Sequence, residues 1–136
     1  MQIADSELEL LEFNARAESD VALLLLHEGL GCVELWRDFP LALAEACDLP
    51  LVAYSRAGYG SSSPVKLPRP LSYMHDEARE VLPQLLAQLG HREYVLVGHS
   101  DGASIALIHA AMKEQPQRIR ALVLMAPHVF CEERSV

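Results

Sequence analysis

Cysteine is scarce in this 136-residue chain: Cys32, Cys47 and Cys131 are odd in number and share no C-x-x-C or metal-like spacing. That excludes a disulfide framework and fits reduced thiols packed as small apolar groups. Basic charge is scarce too. Eleven Lys and Arg stand against nineteen Asp and Glu, a formal net charge of -8, and no basic run is present; a nucleic-acid partner, which needs clustered cations for its phosphates, is not expected. No apolar stretch approaches the roughly 18 residues that span a bilayer. Met1 to Asp5 lacks the basic and apolar regions of a signal peptide, so a cytoplasmic protein with no membrane partner is expected. The six histidines, at 27, 75, 91, 99, 109 and 128, include no H-E-x-x-H pattern, and no metal or other cofactor is expected.

What the sequence does have is apolar substance: 51% hydrophobic and 22% charged residues suffice for one globular domain across residues 1–136. Short apolar runs alternate with stretches of helical period, the pattern of an α/β fold with a mostly parallel sheet and flanking helices. Leu8 to Phe13 reads as a partly alternating strand, and Val21 to Leu26 as a continuous apolar one of the kind buried on both faces. A helix is expected over Val33 to Cys47, interrupted near Pro40, with Trp36, Phe39, Leu43 and Cys47 near one face. Leu51 to Tyr54 is the next strand. Ser55 to Pro70 is rich in Gly, Ser and Pro and too long for a simple connection, which marks a functional loop. Ser72 or Tyr73 to Leu89 is helical by pattern, with a kink or restart at Pro83 and Gly90 as its C-cap. Strand Tyr94 to Val97, helix Gly102 to Lys113 and strand Ile119 to Met125 complete the series.

Chemistry concentrates where the strand Tyr94 to Val97 meets Gly98-His99-Ser100-Asp101-Gly102, which runs straight into the small-residue helix Ala103-Ser104-Ile105-Ala106. A bare G-x-S-x-G is common; one set between strand and helix is a nucleophile elbow. The turn is so sharp that residues two before and two after the serine must lack a Cβ, and Gly98 and Gly102 meet that need. A helix that begins at the nucleophile turns its free N–H groups toward the charge that develops during acyl transfer, and the N–H of Asp101 is the expected donor. Asp101 is expected to act through its backbone rather than its carboxylate. His99, adjacent to Ser100 on a tight turn, points elsewhere and is read as a packing or turn residue. A second oxyanion donor belongs in the loop after Val21 to Leu26, where His27-Glu28-Gly29-Leu30-Gly31 offers Gly29 first and Leu30 next.

These stretches, HEGLGCVELWRDFP, SRAGYGSSSP and VLVGHSDGASIAL, together resemble the α/β-hydrolase fold superfamily, specifically its lid-bearing esterase, enol-lactonase and C–C-bond hydrolase group. They occur in that family's order and spacing across nearly the whole chain. Two departures stand out: the family commonly has His-Gly where this chain has His27-Glu28, and often Asp where this chain has Ser55 before Arg56. The resemblance makes Arg56 to Ser62 a structural loop near the site. Its Gly58-x-Gly60 lacks the third glycine of a dinucleotide fingerprint.

Serine at position 100 separates the chain from epoxide hydrolases and haloalkane dehalogenases of the same fold, which resemble it but carry Asp there. The reaction implied is attack by Ser100 on a small ester, lactone or thioester, through a tetrahedral oxyanion and an acyl-enzyme. An acyltransferase would use the same intermediate, and a non-catalytic binding module would keep the fold without the activity. The family's triad acid and histidine lie on loops after later strands. After Met125 only Ala126 to Val136 remains, so the lid, the final strands and both partners are expected outside this N-terminal portion. His128 precedes Glu132 and Glu133, the reverse of the family's acid-then-histidine order, which argues against a Ser100, Glu132, His128 triad. With Ile119 to Met125 left at the sheet edge, self-association or marginal stability is expected. Trp36, Leu30 and Val129 are candidates for apolar lining of the substrate site.

Overall fold

The computed structural model describes residues 1–114 and 117–129. Its centre is a five-stranded sheet built from β3 (Glu9–Phe13), β4 (Val21–Leu26), β5 (Leu51–Ser55), β6 (Glu93–His99) and β7 (Arg118–Met125), in the spatial order β3-β5-β4-β6-β7. Only β3 runs antiparallel, against β5; the other pairings are parallel. A small hairpin of β1 (Gln2–Ile3) and β2 (Ser6–Glu7) precedes them. The expected α/β class with a mostly parallel sheet is the architecture found.

Parallel strands need cover on both faces, and the run Val21–Leu26 supplies apolar side chains to each in alternation. Ala22, Leu24 and Leu26 join Tyr54, Tyr94 and Leu96 under α3 (Leu82–Leu89) and α4 (Asp101–Ala110), which contribute Leu82, Leu85, Leu86, Ile105 and Ala106. Leu23 and Leu25 face the other way, onto a smaller cluster with Val33, Ala53, Val97 and Ala44 of α1 (Phe39–Cys47).

Both expected helices are interrupted close to their prolines. The segment expected as a helix from Val33 to Cys47, interrupted near Pro40, is a 3-10 turn, Glu34–Trp36, followed by α1, with Arg37 at φ 51° between them. Pro40 therefore lies in the first turn of α1, where its missing N–H costs nothing, rather than inside a longer helix. The stretch from Tyr73 splits into α2 (Tyr73–Asp76), a widened π turn over Glu77–Val81, and α3, with Pro83 in the first turn of α3. Gly90 ends α3 in the left-handed conformation at φ 77°, as its sequence position implies.

The parallel registers decide where the site forms. Leu26 of β4 pairs with Gly98 of β6, and His99 pairs with Met125 of β7. The loops leaving β4, β6 and β7 thus emerge side by side at one end of the sheet.

Candidate active site

Between the end of β6 at His99 and the start of α4 at Asp101 there is one residue, Ser100, at φ 52° and ψ -115°. A non-glycine residue held there stores about 1–3 kcal/mol of backbone strain. Its neighbours show why the turn closes. A Cβ on Gly98 would overlap the backbone of Gly102 and Ala103, and one on Gly102 would overlap the carbonyl of Leu26. Glycine at 102 lets α4 press against the end of β4. Both backbone groups of Ser100 are engaged: its N–H donates to the Met125 carbonyl at 2.8 Å, and its carbonyl accepts from the Ser104 N–H at 3.1 Å. The next amide, that of Asp101, opens α4, and first-turn donors have no partner within their helix.

The loop after β4 lies opposite. Arg56, buried to 2% exposure, donates from its guanidinium to the carbonyls of His27 (2.6 Å) and Glu28 (3.0 Å), and its backbone N–H donates to His27 Nε2 at 3.0 Å. His27 Nδ1 is 2.7 Å from the Glu28 carbonyl, so this ring is neutral with its proton on Nδ1. Burial, with the Arg56 charge second, holds its pKa down at about 4. Ser55 adds support: its hydroxyl accepts from the Val33 N–H at 2.9 Å and donates to the Glu9 carboxylate at 2.7 Å. Where the family often has Asp, this chain places a serine with the Glu9 carboxylate behind it.

The two candidate donors of this loop differ. The Leu30 N–H donates to the Glu28 carboxylate at 2.8 Å, and the Leu30 side chain is 85% exposed. Among the described residues the Gly29 N–H has no hydrogen bond, and Gly29 faces Asp101, whose Oδ2 would stand 3.1 Å from a Cβ added there. Glu28, the departure from His-Gly, thus engages the Leu30 amide and leaves that of Gly29. The Asp101 side chain is also engaged, which its sequence position did not suggest: the Tyr73 hydroxyl donates to Oδ2 at 2.7 Å. Burial, then this bond and the carboxylate charge, push the Tyr73 pKa up to about 12.

The sequence sets His128 aside from a triad with Ser100 and Glu132; in the structure its Nε2 lies 2.9 Å from Ser100 Oγ, where the β7 pairing brings the following loop to the elbow. Glu132 and Glu133 lie outside the described residues, as does Cys131. Ser104, one helical turn after Ser100 and buried, bonds the backbone of His128. Its i, i+4 spacing from the nucleophile was the one available sequence signal.

A cavity of about 230 Å³ opens beside the elbow, lined by His27, Glu28, Gly31, Cys32, Leu35, Trp36 and His99. An apolar hollow of about 250 Å³ continues along Trp36, Phe39, His99, Met125 and Ala126. Trp36 therefore lines both spaces, whereas Leu30 and Val129 line neither. Ser100 lines neither space, whereas its neighbour His99 lines both. Among the described residues no cluster of three or more His, Cys, Asp or Glu could hold a metal ion, and no helix is long and apolar enough to cross a membrane.

A serine elbow at the C-terminal edge of a mostly parallel sheet, faced by a glycine-bearing loop from the neighbouring strand, defines the α/β-hydrolase class. A family model for the alpha/beta hydrolase fold matches residues 21–135, and the chain belongs to this family. Among individual relatives, the serine hydrolase BPHL of Mus musculus is 29% identical over 125 residues, covering 92% of this chain and 42% of that protein. A solved carboxylesterase structure from Nitrososphaera gargenis superposes with a TM-score of 0.76 at 22% identity, over 95% of this chain and 44% of the other. An epoxide hydrolase variant from Vigna radiata does so at 0.72 and 23%, over 91% and 36%. The two structures share the fold. The chain spans less than half the length of each of these relatives.

Proposed function

We propose that Ser100 is the nucleophile of a serine hydrolase that cleaves a carboxylic ester, lactone or thioester through an acyl-enzyme. One observation carries this reading: Ser100 stands alone, in a strained conformation, between β6 and the first turn of α4. An ordinary strand-to-helix turn has no need of that strain. Attack by Ser100 Oγ would place the carbonyl oxygen of the substrate between the Asp101 and Gly29 amides. Those donors are fixed before reaction, Asp101 by α4 and Gly29 by the Arg56 bonds to the carbonyls of the preceding residues. Leu30 serves less well because Glu28 already holds its amide. A serine hydroxyl suits acyl carbon, whereas the epoxide hydrolases that this fold resembles carry Asp at this position.

The test is hydrolysis of a panel containing a phenyl ester, a small lactone, a thioester and an epoxide, together with labelling by a fluorophosphonate. Acyl substrates should turn over, the epoxide should not, and Ser100→Ala should lose both turnover and label. Equal rates in Ser100→Ala and the unaltered chain would overturn the reading.

A further inference from the structure

We infer that Glu9 is a positioning residue for the loop that carries Gly29: acting through Ser55, it supplies from the neighbouring strand the carboxylate that the family often places before Arg56. This rests on the reading of Ser100 as a nucleophile with Gly29 as an oxyanion donor. Glu9 of β3 stands directly opposite Ser55 of β5 in the antiparallel register, so the two side chains share one face of the sheet. Ser55 is fully buried and donates its one proton to the Glu9 carboxylate at 2.7 Å, which leaves its lone pairs to accept from the Val33 N–H at 2.9 Å. Because that acceptor is ionised the bond is charge-assisted, and it holds the Glu9 carboxyl below the usual carboxylate range while burial opposes.

Ser55 and Arg56 are consecutive, and between them they grip the loop at both ends. Arg56 bonds the carbonyls of His27 and Glu28 where the loop begins, and Ser55 bonds the Val33 amide where it ends. Gly29 lies between these anchors. Only the first grip is self-sufficient, since a guanidinium brings its own charge and its own donors. A serine hydroxyl is neutral and free to rotate, and the Glu9 carboxylate is what orients its lone pairs toward Val33. The same carboxylate oxygen also accepts from the Ser61 N–H at 3.1 Å. Glycine at position 60, at φ 53°, makes that approach possible, because a Cβ there would overlap Glu9 Oε2 and Ser55 Oγ. The second glycine of Gly58-x-Gly60 thus leaves room for a carboxylate.

One carboxylate is needed at this point and two are too many. Removing Glu9 leaves a buried hydroxyl and the Ser61 amide without their acceptor, whereas Ser55→Asp with Glu9 in place sets two like charges face to face across the strand pair. Ser55→Asp in the absence of Glu9 returns one charge to the end of the loop by a shorter route. Each single change should therefore loosen the loop, and the two together should tighten it again, a reversal that loss of packing alone would not produce. The effect extends to the cavity beside the elbow. Val33 precedes the 3-10 turn Glu34–Trp36, and its carbonyl accepts from the Trp36 N–H at 3.3 Å. Trp36, the one tryptophan of the sequence, lines that cavity and reports on the loop through its emission.

The experiment compares Glu9→Ala, Glu9→Gln, Ser55→Asp and the double variant of Glu9→Ala with Ser55→Asp in the 136-residue chain, with circular dichroism to check folding. Hydrogen exchange at the Val33 amide should quicken by about 10-fold or more in Glu9→Ala and in Ser55→Asp. The Trp36 emission should shift with it, and both should return toward the unaltered values in the double variant. Glu9→Gln keeps the reach and an acceptor but not the charge; it should fall between, and it decides the matter if Glu9→Ala does not fold. The rate of Ser100 labelling by a fluorophosphonate should follow the same order, lower by about 10- to 100-fold in Glu9→Ala and Ser55→Asp and recovered in the double variant. Val33 exchange unchanged in folded Glu9→Ala or Glu9→Gln, or a double variant no better than either single one, would overturn the role of Glu9. Absence of Ser100 labelling in the unaltered chain, with exchange and emission as expected, would instead overturn the reading of Ser100 as a nucleophile and with it the catalytic sense of the Glu9 contact.

Discussion

At the scale of single residues, the site is a set of conformations held against preference. Ser100 at φ 52° is the clearest, and glycine would occupy that region without strain. Ser100→Gly is therefore expected to stabilise the chain by roughly 1 kcal/mol in urea unfolding, while removing all fluorophosphonate label. No gain, or a loss, would mean that the strain is absent or that the Ser100–His128 bond outweighs it. His27 gives a prediction in pH. Its folded pKa of about 4 lies below the ordinary imidazole value of 6.5, so between those values the unfolded chain binds the extra proton. Stability is accordingly complete above pH 6.5 and declines as the pH falls toward 4, by about 3 kcal/mol from this residue. His109, also held low by burial, acts with the same sign. Denaturant midpoints taken across that window should fall more steeply for the unaltered chain than for His27→Gln; parallel curves would refute the assignment. Nothing in the local sequence revealed these couplings. The Arg56 bonds to His27 and Glu28 span 28 or 29 positions, and the neutral state of His27 follows from them.

Among the elements, legibility tracked how local each determinant is. The strands Val21–Leu26 and the core of Glu93–His99 were readable because burial on both faces demands uninterrupted apolar runs. The elbow was readable because two glycines, a serine and a small-residue helix satisfy a steric requirement within a few positions. The break before α1 was legible from Pro40, though not its place at Arg37, and the π turn over Glu77–Val81 was not legible at all. That turn has a tertiary partner: Glu77, buried on its inner side, accepts from the Tyr54 hydroxyl of β5 at 2.8 Å. Burial raises the Glu77 pKa, with the Tyr54 bond opposing. Tyr54→Phe should cost about 1–3 kcal/mol, because it leaves a buried carboxyl without its donor. The double variant Tyr54→Phe with Glu77→Leu should recover part of that loss; full additivity in thermal or urea melts would show that the two groups do not interact.

For the whole molecule, the open end of the sheet matters most. Among the described residues β7 has β6 on one side only. Its first half is guarded by charge, with Arg118 and Arg120 paired to Glu93 at 3.2 and 3.0 Å, whereas Ala121 to Met125 carries none and leaves Val123 46% exposed. Unpaired strand edges of this kind template pairing with a second copy. Sedimentation velocity over a range of concentrations is expected to show reversible self-association of the 136-residue chain. The net charge of -8 opposes it, so added salt should strengthen it, and Val123→Lys should weaken it. A monomer at every concentration and salt level would remove β7 as an interface.

The bond from the Ser100 amide to the Met125 carbonyl also bears on how the molecule breathes. Turn amides at a protein rim usually trade hydrogen for deuterium within local fluctuations, but this one is tied into the ladder between β6 and β7. Its exchange would be governed by separation of those strands, so the proposed nucleophile would carry one of the chain's slower clocks.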